Sequence, residues 1–146
     1  MKQIARIGWL FLLSASFAAA QKVETLAEMK ARVATVPLEE RVRLCAGIAR
    51  RSLDEAKGRY EKGVDAEGKL LLQDVEAYAD QAANAAIQAR KHEKQLEIDL
   101  RDISHHLEAL KRELSPEDQP AAETAMGHVE KLRVRLLDSM FGKGKK

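Results

Sequence analysis

The stretch RDISHHLEAL, residues 101–110, places Asp102 three residues before His105 and follows it at once with His106. A carboxylate and imidazoles at helical spacing are the groups that hold metal ions in helical bundles, where an acid-x-x-His pair on one helix faces a matching pair on another. Asp102, His105 and His106 are therefore the candidate metal residues. Three other arrangements invite chemistry. GVDAEGKL, residues 63–70, fits the G-x-x-x-x-G-K frame of a phosphate loop. Ser104 stands next to His105 as nucleophile beside base. Glu93 is the one polar residue on an otherwise apolar stripe and the candidate for a buried carboxylate with a raised pKa.

Each arrangement depends on what positions it. A phosphate loop follows a strand and needs a Ser or Thr after its lysine to hold Mg²⁺. Here a helical pattern precedes the loop, Leu70 replaces the hydroxyl, and Asp65 and Glu67 repel phosphate. The segment reads as a turn between helices. Adjacent side chains on a helix, such as Ser104 and His105, do not face one another, and no nucleophile-elbow motif occurs. Carboxylates elsewhere alternate with Lys and Arg, as in EKQLEIDLRD, the pattern of a solvated face. No catalytic or cofactor-binding residue is assigned, and the chain is not read as an enzyme.

The elements behind these residues are all helical. No run alternates at period two, and only Pro37, Pro116 and Pro120 interrupt the chain. Leu26, Met29 and Val33 define a short helix over about Val23 to Ala34. Pro37, followed by Glu39 and Glu40, opens a second, whose stripe is Leu38, Val42, Cys45, Ala49, Leu53, Ala56 and Tyr60. From Leu72 through Val75, Ala79, Ala82, Ala86, Ala89, Glu93, Leu96, Leu100, Ile103, Leu107 and Leu110 to Leu114 the spacing stays at 3 and 4, roughly six heptads of coiled-coil seam. SPEDQP then turns into a helix carrying Ala122, Ala125, Val129, Leu132, Leu136 and Met140.

The fold expected is all-α, either an antiparallel helical bundle or elongated hairpins built on one long helix over about residues 65–114, roughly 75 Å at 1.5 Å per residue. The polar run QARKHEKQ is where that helix would break to give the bundle. Folding back at Gly63 sets Cys45 and Ala49 against Ala86 and Ala82. Folding back at Pro116 sets Leu107, Ile103 and Leu100 against Val129, Leu132 and Leu136. In this register Asp102 is c, His105 f and His106 g, on the side turned from the seam, and no second acid-x-x-His matches them. They are expected to face solvent. Arg101, at an outer b position, is expected to contribute little to stability.

Residues 1–20 read as a secretory signal peptide: Lys2 and Arg6 without an acid, the apolar WLFLLSASF, and small residues at Ala18 and Ala20. The mature chain then begins at Gln21, with a helical domain over residues 21–142 and a disordered basic tail over residues 143–146. Its place is periplasmic or extracellular, and no second hydrophobic stretch long enough to span a membrane follows. Without Lys2 and Arg6, 23 basic residues face 23 acidic ones. Neutral charge and only Tyr60, Tyr78 and Phe141 as mature-chain aromatics exclude nucleic acid as a partner. The single cysteine, Cys45, cannot close an internal disulfide and lies on the apolar stripe, where a thiol acts as a small core residue.

The segments VPLEERVRLCAGIARRSLDEA, EDQP and MFGKGK resemble those of short exported helical proteins of uncharacterised function from environmental bacteria. The resemblance spans most of the mature chain and implies an all-helical exported protein, with no catalytic residues to carry over. The Ala56, Tyr60, Gly63 spacing is similar to one tetratricopeptide hairpin, but no 34-residue repeat follows. The LTxxQ motifs of periplasmic spheroplast-type chaperones do not occur. The expected function is that of an exported interaction or scaffold protein acting through helix surfaces on a protein partner or as a homodimer. The alternative is a periplasmic stress-response or metal-responsive binding protein that uses the histidine-bearing face.

Overall fold

Thr25 begins the ordered helices with a reciprocal cap. Its hydroxyl accepts the Glu28 N–H at 3.2 Å, while the Glu28 carboxylate accepts the Thr25 N–H at 2.9 Å. The computed structural model describes residues 23–142, so the expected signal peptide and basic tail lie outside the described residues. Helix α1 spans Leu26–Arg32. It is shorter than its apolar spacing predicts because the Thr35 hydroxyl donates to the Arg32 carbonyl at 2.9 Å and Pro37 follows. Helix α2, Leu38–Glu61, starts directly after Pro37 with Glu39 and Glu40 in its first turn. Gly63, at φ +74°, ends it in the left-handed conformation that glycine adopts without steric cost. Helix α3 then runs over Asp65–Ala89, α4 over Glu93–Glu113 and α5 over Gln119–Phe141.

The chain is all-helical and forms a bundle. Helix α2 packs chiefly on α3 and α4 on α5, giving two antiparallel hairpins, and these meet through α3 on α5 and α2 on α4. Cross-hairpin ion pairs set the register: Glu39 with Lys91, Arg50 with Asp102 and Lys57 with Glu113 show that α2 and α4 run parallel. Asp80 with Arg135, at 3.7 Å, aligns α3 with α5 in the same sense. Helix α1 lies against α2, and its Lys30 ammonium reaches Asp74 on α3 at 2.5 Å.

The continuous helix over about residues 65–114 is not formed; of the two expected arrangements the broken, compact one is observed. Arg90, at φ +53°, and His92, at φ +62°, both take the left-handed conformation between α3 and α4. The Lys91 N–H returns to the Ala86 carbonyl at 3.3 Å, and α4 resumes with Leu96 N–H bonded to His92 O at 2.9 Å. Two non-glycine residues in this region cost roughly 1–2 kcal/mol each. At about 25 cal/mol per Å², burying on the order of 100–150 Å² of apolar surface offsets that. Folding back does far more. Leu96, Leu100, Ile103, Leu107 and Leu110 are at most 4 % exposed, in one core cluster with Cys45, Ala49, Ala82, Ala86, Val129, Leu132 and Leu136.

Cys45, Ala49, Ala82 and Ala86 are each fully buried, as the small-against-small pairing predicts. Burial pushes the Cys45 thiol up to about 11, against a smaller opposing pull from Arg41. Gly68 is buried against the Tyr60 ring: a Cβ there would come within 2.7 Å of Cε2. Urea denaturation of three variants tests this packing. Ala86→Leu should lose about 1–3 kcal/mol by overpacking, and Leu107→Ala about 2–5 kcal/mol by opening a cavity. Gly68→Ala should destabilise as well, because displacing the Tyr60 ring at about 1–3 kcal/mol exceeds the roughly 1 kcal/mol that alanine gains over glycine in a helix.

Candidate functional site

Asp102, His105 and His106 lie on α4, with Asp102 and His106 on the side that borders α2 and His105 towards Glu130 of α5. The Asp102 carboxylate is bound to the Arg50 guanidinium of α2. His106 Nδ1 lies 2.8 Å from the Asp102 carbonyl oxygen, one turn back, and 3.5 Å from its carboxylate. His105 and His106 are both exposed. The structure thus brings Asp102 and His106 together, rather than Asp102 and His105, and gives the carboxylate an arginine partner. Among the described residues no group of three or more His, Cys, Asp or Glu side chains is placed to hold a metal ion.

Two further histidines, His92 and His128, each face a carboxylate of another helix. His92 Nε2 is 3.0 Å from Glu39 Oε1, and Lys91 Nζ is 2.9 Å from Glu39 Oε2, so the residues of the α3–α4 reversal clamp the start of α2. Hydrogen bonds from Lys91 first and His92 second hold the Glu39 carboxyl below its ordinary value. His128 lies 3.8 Å from Asp80, which also faces Arg135; Arg135 donates to Asn84 Oδ1 at 2.9 Å. Beside the reversal, Arg32, Pro37, Glu39, Glu40, Arg43, Leu44 and His92 line an open cleft of about 670 Å³. Both charge signs alternate along its wall.

Glu93 is half-buried and accepts the Ser139 hydroxyl at 2.6 Å. The buried carboxylate is Glu97, 4 % exposed, one turn further along α4. Both its oxygens are taken: Oε1 accepts from Arg133 Nη2 at 2.7 Å and Nε at 3.1 Å, and Oε2 accepts from Arg101 Nη2 at 2.6 Å. Arg133 also forks onto Glu130 at 2.9 and 3.0 Å, and the buried Ser104 hydrogen-bonds the same carboxylate. Burial alone would raise the Glu97 carboxyl, but the hydrogen bonds and charges of Arg101 and Arg133 outweigh it and hold the group below the ordinary range. Glu130 is lowered by the same balance. Arg101, itself exposed at its outer position, therefore covers the buried Glu97 carboxylate from the solvent side instead of standing free.

Sequence reasoning missed Glu97 because it occupies an e position, normally solvated, as does Ser104. The available signal was Arg101 one turn beyond Glu97 and the Glu130, Arg133 pair on the helix expected to cover that side. The GVDAEGKL segment forms the end of the α2–α3 turn and the first turn of α3, with Gly68 under Tyr60 and Leu70 62 % exposed. Nearby, Lys57, Tyr60, Asp65, Glu113 and Asp118 help to line a second groove of about 440 Å³. The buried Tyr60 hydroxyl has no hydrogen-bond partner among the described residues. Burial, then the Asp118 and Asp65 charges, raise its pKa.

The Glu97 cluster makes two kinds of behaviour measurable. Because Glu97, Glu130 and Glu39 are held low in the folded state, the stability they contribute is present at neutral pH and is lost as the pH falls below about 4, the ordinary carboxyl range. Arg133→Ala should cost about 3 kcal/mol at neutral pH by leaving a buried charge half-paired, and should make the acid loss shallower, as read by urea midpoints across the pH range. His105→Ala combined with His106→Ala should stay within roughly 0.5 kcal/mol of the parent and remove any micromolar zinc binding. Nanomolar, stoichiometric zinc in the parent chain, measured by calorimetry, would contradict that assignment. No protein-family model matches the chain, and neither a curated protein nor a solved structure is significantly similar to it.

Proposed function

We propose that the chain is an exported helical interaction or scaffold protein that acts through its helix surfaces. The observation that carries this reading is the use to which its polar groups are put. Asp102 is tied to Arg50, Glu39 to Lys91 and His92, and Asp80 to His128 and Arg135, each across a helix boundary. Asp102, the one of these that sequence spacing marks out for chemistry, serves with Glu39 and Asp80 as a strut that holds two hairpins in register. Rigid helices with mixed-charge outer faces can select a partner by charge complementarity. The signal-like residues 1–20 support export to the periplasm or beyond.

Crosslinking through exposed lysines in an exporting bacterium, followed by mass spectrometry, tests both halves of the proposal. The expected result is a chain beginning at or near Gln21 that is joined reproducibly to one partner through exposed positions such as Lys62 or Lys69. Recovery of intact Met1 would count against export. Links confined to the chain itself would count against the scaffold role.

A further inference from the structure

The connections between the helices are not equally encoded. Pro37 separates α1 from α2, Gly63 at φ +74° turns α2 into α3, and Pro116, with the Ser115 hydroxyl donating to Asp118 at 2.9 Å, turns α4 into α5. Arg90, Lys91 and His92, between α3 and α4, include neither glycine nor proline, although Arg90 and His92 take the left-handed conformation that suits glycine. His92 gives α4 no side-chain cap. The heptad register meanwhile ignores the break: Ala82, Ala86, Ala89, Glu93, Leu96 and Leu100 keep spacings of 4, 3, 4, 3 and 4, the pattern of one unbroken helix. Local preference favours a straight helix here, and only the contacts between the two hairpins fold it back.

Those contacts do not require both hairpins to belong to one chain. If α3 and α4 join into a continuous helix over residues 65–113, roughly 75 Å at 1.5 Å per residue, the faces that meet within one chain are set apart. Two such chains crossing antiparallel at residues 90–92 lay α3 of one along α4 of the other, in the direction these helices already run. Each half of the assembly then repeats the observed bundle, with Arg50 and Asp102, Lys57 and Glu113, and Asp80 and Arg135 paired between copies. No new surface is needed, since the complementary face is the one that already closes the core, and short strained connections invite such an exchange. We propose that the α3–α4 reversal is a hinge through which two copies of this chain exchange hairpins, giving a two-fold dimer with one bundle at each end of a pair of continuous helices. Association entropy favours the closed monomer at low concentration, while the two left-handed residues that each chain releases favour the exchanged dimer as concentration rises. Hairpin exchange needs neither export nor a foreign partner, so it stands apart from the scaffold reading.

The full chain, half of it labelled with nitrogen-15, is refolded from urea at about 1 µM and at about 1 mM, with reductant to keep Cys45 free, and its mass is read by light scattering. A carbodiimide then joins Lys57 to Glu113, whose ammonium and carboxylate lie 3.6 Å apart across the hairpins. The expected result is monomer at the low concentration and dimer at the high one, with about half of the dimer's Lys57–Glu113 crosslinks pairing a labelled with an unlabelled peptide. Arg90→Gly with His92→Gly relieves the reversal and penalises a straight helix, and should weaken dimerisation on the order of a thousandfold or more. Arg90→Ala with His92→Ala leaves the left-handed cost in place and improves the helix, and should strengthen dimerisation on the order of tenfold. A dimer whose Lys57–Glu113 crosslinks are all of one isotope overturns the proposal, because its hairpins remain within their own chains. Monomer at both concentrations for the parent and the alanine variant alike also overturns it, as does a glycine variant that dimerises as readily as the parent.

Discussion

The architecture depends on a reversal of the chain at Arg90, Lys91 and His92. Two left-handed residues without glycine are an unfavourable local choice, and the fold compensates tertiarily: Lys91 and His92 both bind Glu39, at the opposite end of the α2–α3 hairpin's sequence. Had the helix continued, α2 with α3 and α4 with α5 would each be a two-helix hairpin with one flank of its apolar seam in water. Folding over lays the hairpins side by side and closes a single core from Leu26 to Leu136. A short-range strain is exchanged for long-range burial, which dominates at the scale of a domain.

The second consequence of that reversal is the burial of polar groups along the margins of the seam. Once α5 covers the flank of α4, Glu97 and Ser104 leave the solvent and need partners, which Arg101, Arg133 and Glu130 supply. An ion cluster of this type adds little net stability over an apolar replacement. It does penalise any sliding of α5 along α4, because a shift by one turn would strand a carboxylate. The leucine pairs beside it are tolerant of register by comparison, since one leucine resembles the next. The Glu39, Asp80 and Asp102 contacts fix the register between hairpins in the same manner.

The helices themselves were largely legible in the sequence. Pro37, Gly63 and the SPEDQP turn lie at the observed boundaries because their backbone restrictions are local, and the buried residues of each helix follow the apolar stripes. The break between α3 and α4 was marked only by the polarity of QARKHEKQ. The 3,4 register runs through it from Ala86 and Ala89 to Leu96 with only Glu93 polar, and the energy that favours breaking comes from helices remote in sequence. His105 and His106 are exposed on α4, as their register suggests, but the partner of Asp102 was not foreseeable, since Arg50 reaches it only after two hairpins stack. Glu97 escaped for the same reason: its burial belongs to the neighbour, not to its own helix.

The enclosure of Cys45 between α2 and α3 gives the chain a built-in chronology in an oxidising environment. A fully buried thiol in one core cluster with Ala49, Ala82 and Ala86, with its pKa raised to about 11, has almost no thiolate and no path for a disulfide partner while the hairpin is closed. Before the hairpin closes, the same thiol is an ordinary one. The window for forming a disulfide-linked dimer is therefore set by how fast α2 meets α3, a pairing of neighbours in sequence through a short turn, which is among the quicker steps open to a folding chain. After closure, oxidation must wait for the hairpin to open, so the frequency of that opening, and not the chemistry of the oxidant, determines how long the thiol stays free.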